Sequence, residues 1–209
     1  MPKIKLLLVV VAAVIVAAGA VVYSMHKNPA APKSSQSKSA KSSATTAQAQ
    51  TPAVTNYCGS NSSGQDIVVS ISKQHMWACD GTKASYDNPV ITGMQMYPSE
   101  LTPAGTYHIY SKLTDQTLAG SDFTGHWSDF VNYWMPFLDN QYGTYGFHDL
   151  TQTANGANGR ADSDFGNVDI NAPYTAAKHG SHGCVEMPLA AAKWLYNWVA
   201  VGITVTVQA

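Results

Sequence analysis

The stretch of this sequence best suited to chemistry is the run HGSHGCVEMP at residues 179–188, which places Cys184 among glycines and histidines. A thiol is a useful nucleophile only as the thiolate, and a free cysteine with a pKa of about 8.5 is mostly protonated at neutral pH. A nearby imidazole removes this obstacle by accepting the proton and stabilising the resulting ion pair. Main-chain N–H groups around Gly183 and Cys184 are candidates to stabilise the oxyanion of a tetrahedral intermediate. The pattern predicts a cysteine nucleophile that forms a covalent intermediate.

Three histidines are candidates for the imidazole partner. His182 is two residues from Cys184, and so short a separation constrains its geometry, although in an extended segment both side chains share a face. His148, in the run YGFHD at residues 145–149, reaches the thiol if a neighbouring strand carries it there. His179 is the third candidate, and spacing along the chain does not choose among the three.

Two other interpretations of Cys184 follow from its residue type. Free cysteines are often core residues, but a run of glycines and histidines cannot pack as an apolar core. His179, His182 and Cys184 could instead ligate a metal, with Asp149 or His148 completing the set. Their spacing matches none of the common zinc patterns. We therefore expect that neither a metal nor another cofactor is required.

The other two cysteines, Cys58 and Cys79, flank the first strand region of the predicted domain. Disulfides persist outside the cell, so these two cysteines are a natural pair in that compartment. Cys184 is then the odd thiol, and an odd cysteine in an exported protein indicates a reactive residue.

The sequence divides into three zones of different composition. Residues 6–23 carry no charge, close to the length that spans a bilayer core, and we interpret residues 1–23 as a membrane anchor. A cleaved signal peptide is the competing interpretation. Residues 24–56 are rich in Ser, Ala, Lys and Thr without an apolar period, which predicts a disordered linker. Residues 57–209 have the aromatic and turn residues of one packed catalytic domain.

The net charge of −1 hides an asymmetry between these zones. The first 56 residues hold six lysines and no acid, whereas the remainder holds six basic residues against thirteen acids, a formal charge of −7. Phosphate contacts require clustered Lys and Arg, so the domain is not expected to bind nucleic acid. The basic zone beside the apolar segment instead suits an anionic membrane surface or wall polymer.

Alternation of apolar and polar residues predicts a mostly β domain with one main C-terminal helix. The predicted strands are 66–72, 74–79, 85–92, 105–111 and 203–207. Asp80-Gly81 is a strong hairpin turn, Pro188 starts the predicted helix, and Gly202 ends it. Residues 120–169 are rich in Gly, Asn, Asp and Tyr, and we expect long loops around short strands there.

Aromatic residues crowd this same span. The most prominent are Trp127, Tyr133, Trp134 and Phe137. Side chains of this size are more often core residues than ligand contacts, but some in this span are candidates to line a peptide groove.

Four short motifs carry a family resemblance: TPAGTY at 102–107, YWMPF at 133–137, GFH at 146–148 and SHGC at 181–184. In this order and spacing they resemble the motifs of the YkuD-type L,D-transpeptidases, over about residues 66–207. The resemblance implies a β-sandwich-like catalytic domain whose thiolate attacks a peptidoglycan tetrapeptide stem between an L-centre and a terminal D-alanine. An amine acceptor then resolves the thioester; if water does so, the enzyme is an L,D-carboxypeptidase. Reactivity toward carbapenems is also implied.

The resemblance assigns roles to individual residues. Cys184 matches the nucleophile and His148 matches the general base. Ser181 matches the residue whose main chain helps to orient that histidine, Gly183 lies beside the oxyanion site, and His182 has a supporting role. Donor and acceptor are peptidoglycan stem peptides, and we expect a monomer at the outer face of the cell membrane.

Two positions depart from the family pattern. Many members have Arg two residues after the cysteine, where this chain has Glu186. The only arginine is Arg160, so a contact from an arginine to a substrate carboxylate is in question. Many members also read His-Gly where this chain reads His148-Asp149. Sortases are a rival enzyme class, but they need an arginine after the cysteine, and none follows Cys184. A wall-binding module without catalysis is the non-enzymatic alternative.

Overall fold

The computed structural model describes residues 57–60, 64–122, 124–150 and 159–209, so the predicted membrane anchor and linker lie outside the described residues. The strands are β1 Gln65–Ser70, β2 His75–Asp80, β3 Lys83–Pro89, β4 Gly105–His108, β5 Leu113–Asp122, β6 Gly125–Asn140, β7 Gly143–Asp149, β8 Val185–Met187 and β9 Thr204–Gln208. The α-helix, α1, is Leu189–Trp198. Within the ranges described, no helix is long and apolar enough to cross a membrane.

The first sheet has five strands in the order β3-β2-β1-β9-β4. β1 and β2 form the antiparallel pair that the alternating sequence predicts, and Gly81, with φ of 58°, lies in the turn that leads into β3. The C-terminal strand β9 lies parallel to β1 and antiparallel to β4. The central strand β1 is buried over its last four residues, because it has a strand on either side and packed layers on its faces.

The second sheet has four strands in the order β5-β6-β7-β8. β5, β6 and β7 are an antiparallel meander, and the short strand β8 adds to β7 in parallel. The β7–β8 register pairs Phe147 with Val185 and His148 with Glu186. This register places the motif that contains His148 beside the end of the SHGC motif.

Both sheets contribute side chains to one hydrophobic core. Ile67 and Val69 of β1 lie in the same cluster as Met135 of β6 and Phe147 of β7. α1 adds Leu195 and two alanines to it, which is the amphipathic face expected of a helix packed on a sheet. The mostly β, sandwich-like class with one helix is confirmed.

The prediction of long loops between residues 120 and 169 was wrong for most of that span. β5, β6 and β7 run through it, and β6 alone has 16 residues. Inside β6, Trp127, Asp129 and Val131 share the more buried face, while Ser128 and Phe130 are exposed. Gly, Asn and Asp suggest turns, but here the pairing of three neighbouring strands determines the conformation.

The predicted disulfide is present. Cys58 and Cys79 are bonded, with Cα atoms 5.5 Å apart. Both cysteines are fully buried and pack with Val68 and Trp77 in a small second cluster on the outer face of the first sheet. The bond therefore joins the segment before β1 to the end of β2.

Candidate functional site

Cys184 is the free cysteine of the described residues and is neither fully buried nor fully exposed. It immediately precedes β8, at the end of the glycine-rich turn. Its Sγ lies 3.8 Å from the main-chain oxygen of Thr144 in β7. The thiol lines a small pocket together with His148, His182, Trp127 and Asp129. A partly accessible thiol in a pocket is placed to react with a ligand.

His148 is the histidine that the fold brings to the thiol. It lies in β7, is only 5% exposed, and forms a side-chain hydrogen bond with Cys184. Its Nδ1 lies 3.0 Å from the main-chain oxygen of Asp149. A carbonyl oxygen only accepts, so Nδ1 carries a proton and donates it, which leaves Nε2 for the thiol.

The electrostatic environment of His148 favours its charged form. Burial acts to lower the pKa of His148, but the hydrogen bond and negative charge of Cys184 outweigh it, with further contributions from Glu186 and the Asp149 carbonyl. Together they raise the pKa of His148 to about 9. At neutral pH the imidazole therefore holds a proton beside the sulfur, which is the arrangement that activates a thiol nucleophile.

The turn before Cys184 is fixed by Ser181 and Gly183. The Ser181 hydroxyl accepts a hydrogen bond from the Gly183 N–H at 3.0 Å and donates one to the Cys184 carbonyl at 2.5 Å. Gly183 has φ of +112°, and a Cβ there would lie 2.1 Å from a ring carbon of Tyr145. Only glycine meets both conditions. The hydroxyl of Thr102 holds the turn from the other side, donating to the Gly183 carbonyl at 2.7 Å.

Two details of this turn differ from the expected roles. The main chain of Ser181 bonds with Thr92 and Met94 rather than with His148, so the Asp149 carbonyl takes the orienting role. The N–H of Gly183 is engaged by the Ser181 hydroxyl, so it is not free to face an oxyanion in this conformation. The cause is the strand-like pairing of the turn with residues 92–94, which sequence spacing does not show.

The other two candidate histidines have different surroundings. His182 also lines the Cys184 pocket, but its Nε2 lies 3.0 Å from Asp122 and its ring stacks on Trp127, with centroids 4.7 Å apart. Burial acts to raise the pKa of Asp122, but hydrogen bonds from Thr124 and His182 outweigh it and lower the pKa to about 2. The carboxylate therefore remains ionised and holds the His182 ring.

His179 lies farther along the site, outside the residues that line the Cys184 pocket. Its Nδ1 donates to the Gly180 carbonyl at 2.6 Å and its ring stacks on Tyr174. Burial lowers the pKa of His179, so it is neutral at pH 7. The described residues contain no group of three or more His, Cys, Asp or Glu side chains arranged to hold a metal ion, and the proposed ligand set of His179, His182 and Cys184 is not assembled.

Glu186 has a partner that the sequence did not predict. This carboxylate is 4% exposed, and its Oε2 accepts a hydrogen bond from Arg160 Nε at 2.9 Å. Arg160 Nη2 also donates to the Gly180 carbonyl at 3.0 Å. Arg160, the only arginine, therefore lies beside Glu186, the position at which many family members have an arginine. Two features of the sequence could have predicted this pair. Glu186 stands where many family members have an arginine, and the only arginine of the chain lies elsewhere.

Asp149 and the aromatic residues have structural roles. The Asp149 carboxylate accepts hydrogen bonds from the main-chain N–H groups of Asn132 and Tyr133 and from the Asn132 side chain, at 2.7–2.9 Å. These bonds fix the end of β7 beside His148. Trp134 and Phe137 are buried in the core, whereas Trp127 lines the pocket.

The comparisons with known proteins agree with this geometry. Residues 64–207 match the family model for the L,D-transpeptidase catalytic domain, YkuD. No curated protein matches the chain. The solved structure of a mutant L,D-transpeptidase from Enterococcus faecium is 29% identical, with a TM-score of 0.52, over 70% of this chain and 50% of that one. This chain therefore spans half the length of that relative.

More distant structures share the fold. The L,D-transpeptidase from Mycobacterium smegmatis is 19% identical, with a TM-score of 0.51, over 69% of this chain and 58% of that one. L,D-transpeptidase 3 from Mycobacterium tuberculosis, solved with a faropenem-derived adduct, is 20% identical, with a TM-score of 0.50, over 70% and 60%.

The fold and the site are those of an L,D-transpeptidase catalytic domain. The chain belongs to the YkuD family of L,D-transpeptidase catalytic domains. The sortase alternative is therefore wrong.

Proposed function

We propose that this chain is a peptidoglycan L,D-transpeptidase in which Cys184 is the nucleophile and His148 is the general base. The observation that carries the proposal is the buried His148, whose pKa is raised to about 9 chiefly by its contact with the free thiol. The other candidate histidines are bonded elsewhere, His182 to Asp122 and His179 to Gly180. Membership of the family supports the substrate class, a peptidoglycan stem peptide.

In the first half-reaction the Cys184 thiolate attacks the carbonyl carbon that precedes the terminal D-residue of a tetrapeptide stem. The carbonyl oxygen becomes an oxyanion, and we assign the Cys184 main-chain N–H as its donor because the Gly183 N–H is engaged by Ser181. The C–N bond then breaks, and the imidazolium of His148 protonates the leaving amine. The products are a thioester at Cys184, a free D-residue and a neutral His148.

In the second half-reaction a primary amine attacks the thioester carbon. The new C–N bond forms and the C–S bond breaks, and His148 takes a proton from the attacking nitrogen. The thiolate–imidazolium pair is restored and the two stem peptides are joined. When water attacks instead, the product is a free tripeptide, which is the carboxypeptidase outcome of the same site.

Two further parts of the proposal concern the setting of the enzyme. The Cys58–Cys79 disulfide suits an extracytoplasmic domain, and anchoring by residues 1–23 would hold the domain near the wall. Family membership and the activated thiol also support acylation of Cys184 by carbapenems.

The test is to incubate the enzyme with a tetrapeptide stem and to determine the masses of the products. The expected products are a cross-linked dimer and free D-residue, with any tripeptide measuring the hydrolytic share. Cys184→Ala is the control and should give none of the three. A wild-type enzyme that leaves the tetrapeptide intact would contradict the proposal and favour the wall-binding alternative.

A further inference from the structure

Thr102, the first residue of the TPAGTY motif, contacts the turn before Cys184 but takes no part in the reaction steps given above. Its side chain is buried, with 1% exposed. Its Oγ1 accepts a hydrogen bond from the Gly93 N–H at 2.8 Å and donates its own proton to the Gly183 carbonyl at 2.7 Å. A hydroxyl has one proton and a carbonyl oxygen only accepts, so these two bonds fix the direction of the hydroxyl.

The main chain around this hydroxyl is closely packed. A Cβ at Gly93 would lie 2.6 Å from the Thr102 nitrogen and 2.8 Å from the Gly183 Cα. Gly93 also pairs with Ser181 in a parallel bridge. Three main-chain segments therefore meet without space between them, and the Thr102 hydroxyl has little freedom to leave the Gly183 carbonyl.

The Gly183 carbonyl belongs to the same peptide unit as the Cys184 N–H. A peptide unit is planar, and none of those in the described ranges is cis, so the N–H points in the direction opposite to the carbonyl. Thr102 therefore holds one end of this unit, and the N–H at the other end points away from Thr102. Cys184 lines the small pocket with His148, whereas Thr102 lies outside the residues that line it.

We propose that Thr102 is a positioning residue that fixes the peptide unit between Gly183 and Cys184 and so directs the Cys184 N–H at the oxyanion. The bond to the carbonyl also strengthens the N–H as a donor, because hydrogen bonds in a chain polarise one another. A donor held in place before the reaction stabilises the developing charge without reorganisation. The inference rests on the proposed function, which assigns the Cys184 N–H as the oxyanion donor.

The experiment compares two reactions of the same thiol in the full chain. p-Nitrophenyl acetate acylates Cys184 through a tetrahedral oxyanion; the S–C bond forms, the C–O bond breaks, and the p-nitrophenolate released is followed by its absorbance. Iodoacetamide alkylates Cys184 by displacing iodide, with no oxyanion. The ratio of the two rate constants therefore measures oxyanion stabilisation apart from the reactivity of the thiolate. Cys184→Ala gives the blank for both reactions.

Thr102→Val keeps the shape of threonine but neither donates nor accepts a hydrogen bond. It should lower the ratio at least about 10-fold, which is less than the roughly 10²–10³-fold loss when an oxyanion donor is removed outright. Alkylation and its pH profile should not change, because His148 keeps its hydrogen bond with Cys184. Thr102→Ser keeps the hydroxyl and should keep the ratio. Thr106→Val, the same change at an exposed position of β4, should alter neither reaction.

The infrared stretching frequency of the thioester carbonyl in the acetyl-enzyme gives a second measurement. A weaker oxyanion site polarises this carbonyl less, so the frequency should rise in Thr102→Val and stay at the wild-type value in Thr102→Ser. Thr102→Ala serves for both measurements if Thr102→Val does not fold, with the same expected directions.

An unchanged ratio in Thr102→Val, or equal losses in acylation and alkylation, would overturn the positioning role. Loss of the fold in both Thr102→Val and Thr102→Ala would assign Thr102 a structural role only and would overturn it as well. Failure of the proposed function looks different, because the wild-type enzyme would then react with the ester and leave the tetrapeptide stem intact.

Discussion

The pairing of Arg160 with Glu186 makes a specific prediction about stability. The two side chains are 13% and 5% exposed, and Nε and Oε2 are 2.9 Å apart. Replacing Arg160 with Met would leave the Glu186 carboxylate buried without its partner and would also remove the hydrogen bond to the Gly180 carbonyl. The loss of unfolding free energy in this variant therefore measures the cost of one buried charge without its partner.

The magnitude follows from the burial of the pair. Removing one partner of a buried ion pair costs about 3–5 kcal/mol, whereas replacing both partners by apolar residues of similar volume is often close to neutral. We therefore expect Arg160→Met to lose at least about 3 kcal/mol in the free energy of unfolding. The double variant Arg160→Met/Glu186→Met should lose less than Arg160→Met alone.

The assay is urea unfolding of the four members of this double-mutant cycle, followed by tryptophan fluorescence. Lys178→Met is the matched control, because Lys178 forms an ion pair with Asp164 at 2.9 Å but is itself 51% exposed. It should cost less than about 1 kcal/mol, as exposed pairs do. Additive losses in the cycle, or a loss for Arg160→Met no larger than that for Lys178→Met, would refute the reasoning.

Three other predictions concern single features. The variant Cys58→Ala/Cys79→Ala should lose about 3 kcal/mol in urea unfolding, because the bond closes a loop with a sequence separation of 21 residues; a loss below about 1 kcal/mol would argue against the loop-entropy account. The imidazole of His148 stays protonated until the pH rises through about 9, so its positive charge should speed alkylation of Cys184 by iodoacetamide from pH 6.5 to 8.5. His148→Ala should make it slow and steeply dependent on pH, and identical profiles would contradict the ion pair. Gly183→Ala should reduce acylation at least 10-fold while circular dichroism still shows the fold, because a Cβ would lie 2.1 Å from a tyrosine ring carbon; normal acylation would show that the turn adapts.

Local pattern was enough to predict much of the fold. Alternation and the Asp80-Gly81 turn predicted β1 and β2, and the run after Pro188 predicted α1. These elements are determined by residues close in sequence. The disulfide could be predicted for the same reason, because a hairpin brings Cys79 back close to Cys58.

Long-range pairing was not visible in the same way. β6 contains turn-forming residue types yet runs for 16 residues, because β5 and β7 satisfy its main-chain groups on both sides. The contact between Arg160 and Glu186 joins residues 26 apart with no regular spacing. The engagement of the Gly183 N–H likewise depends on a turn that the Ser181 hydroxyl closes. The sequence motifs identify the reactive residues, but the hydrogen bonds of these residues depend on the assembled sheets.

Intact-protein mass spectrometry tests the central claim most directly. The enzyme is mixed with a tetrapeptide stem, quenched in acid within seconds, weighed, and digested to locate the adduct. We predict an added mass equal to that of the stem peptide minus that of the released D-amino acid, located on Cys184. The adduct should be absent in Cys184→Ala, and it should form roughly 10²–10⁴-fold more slowly in His148→Ala but far less slowly than that in His182→Ala. An adduct that persists in Cys184→Ala, or a loss in His182→Ala as large as that in His148→Ala, would contradict the account.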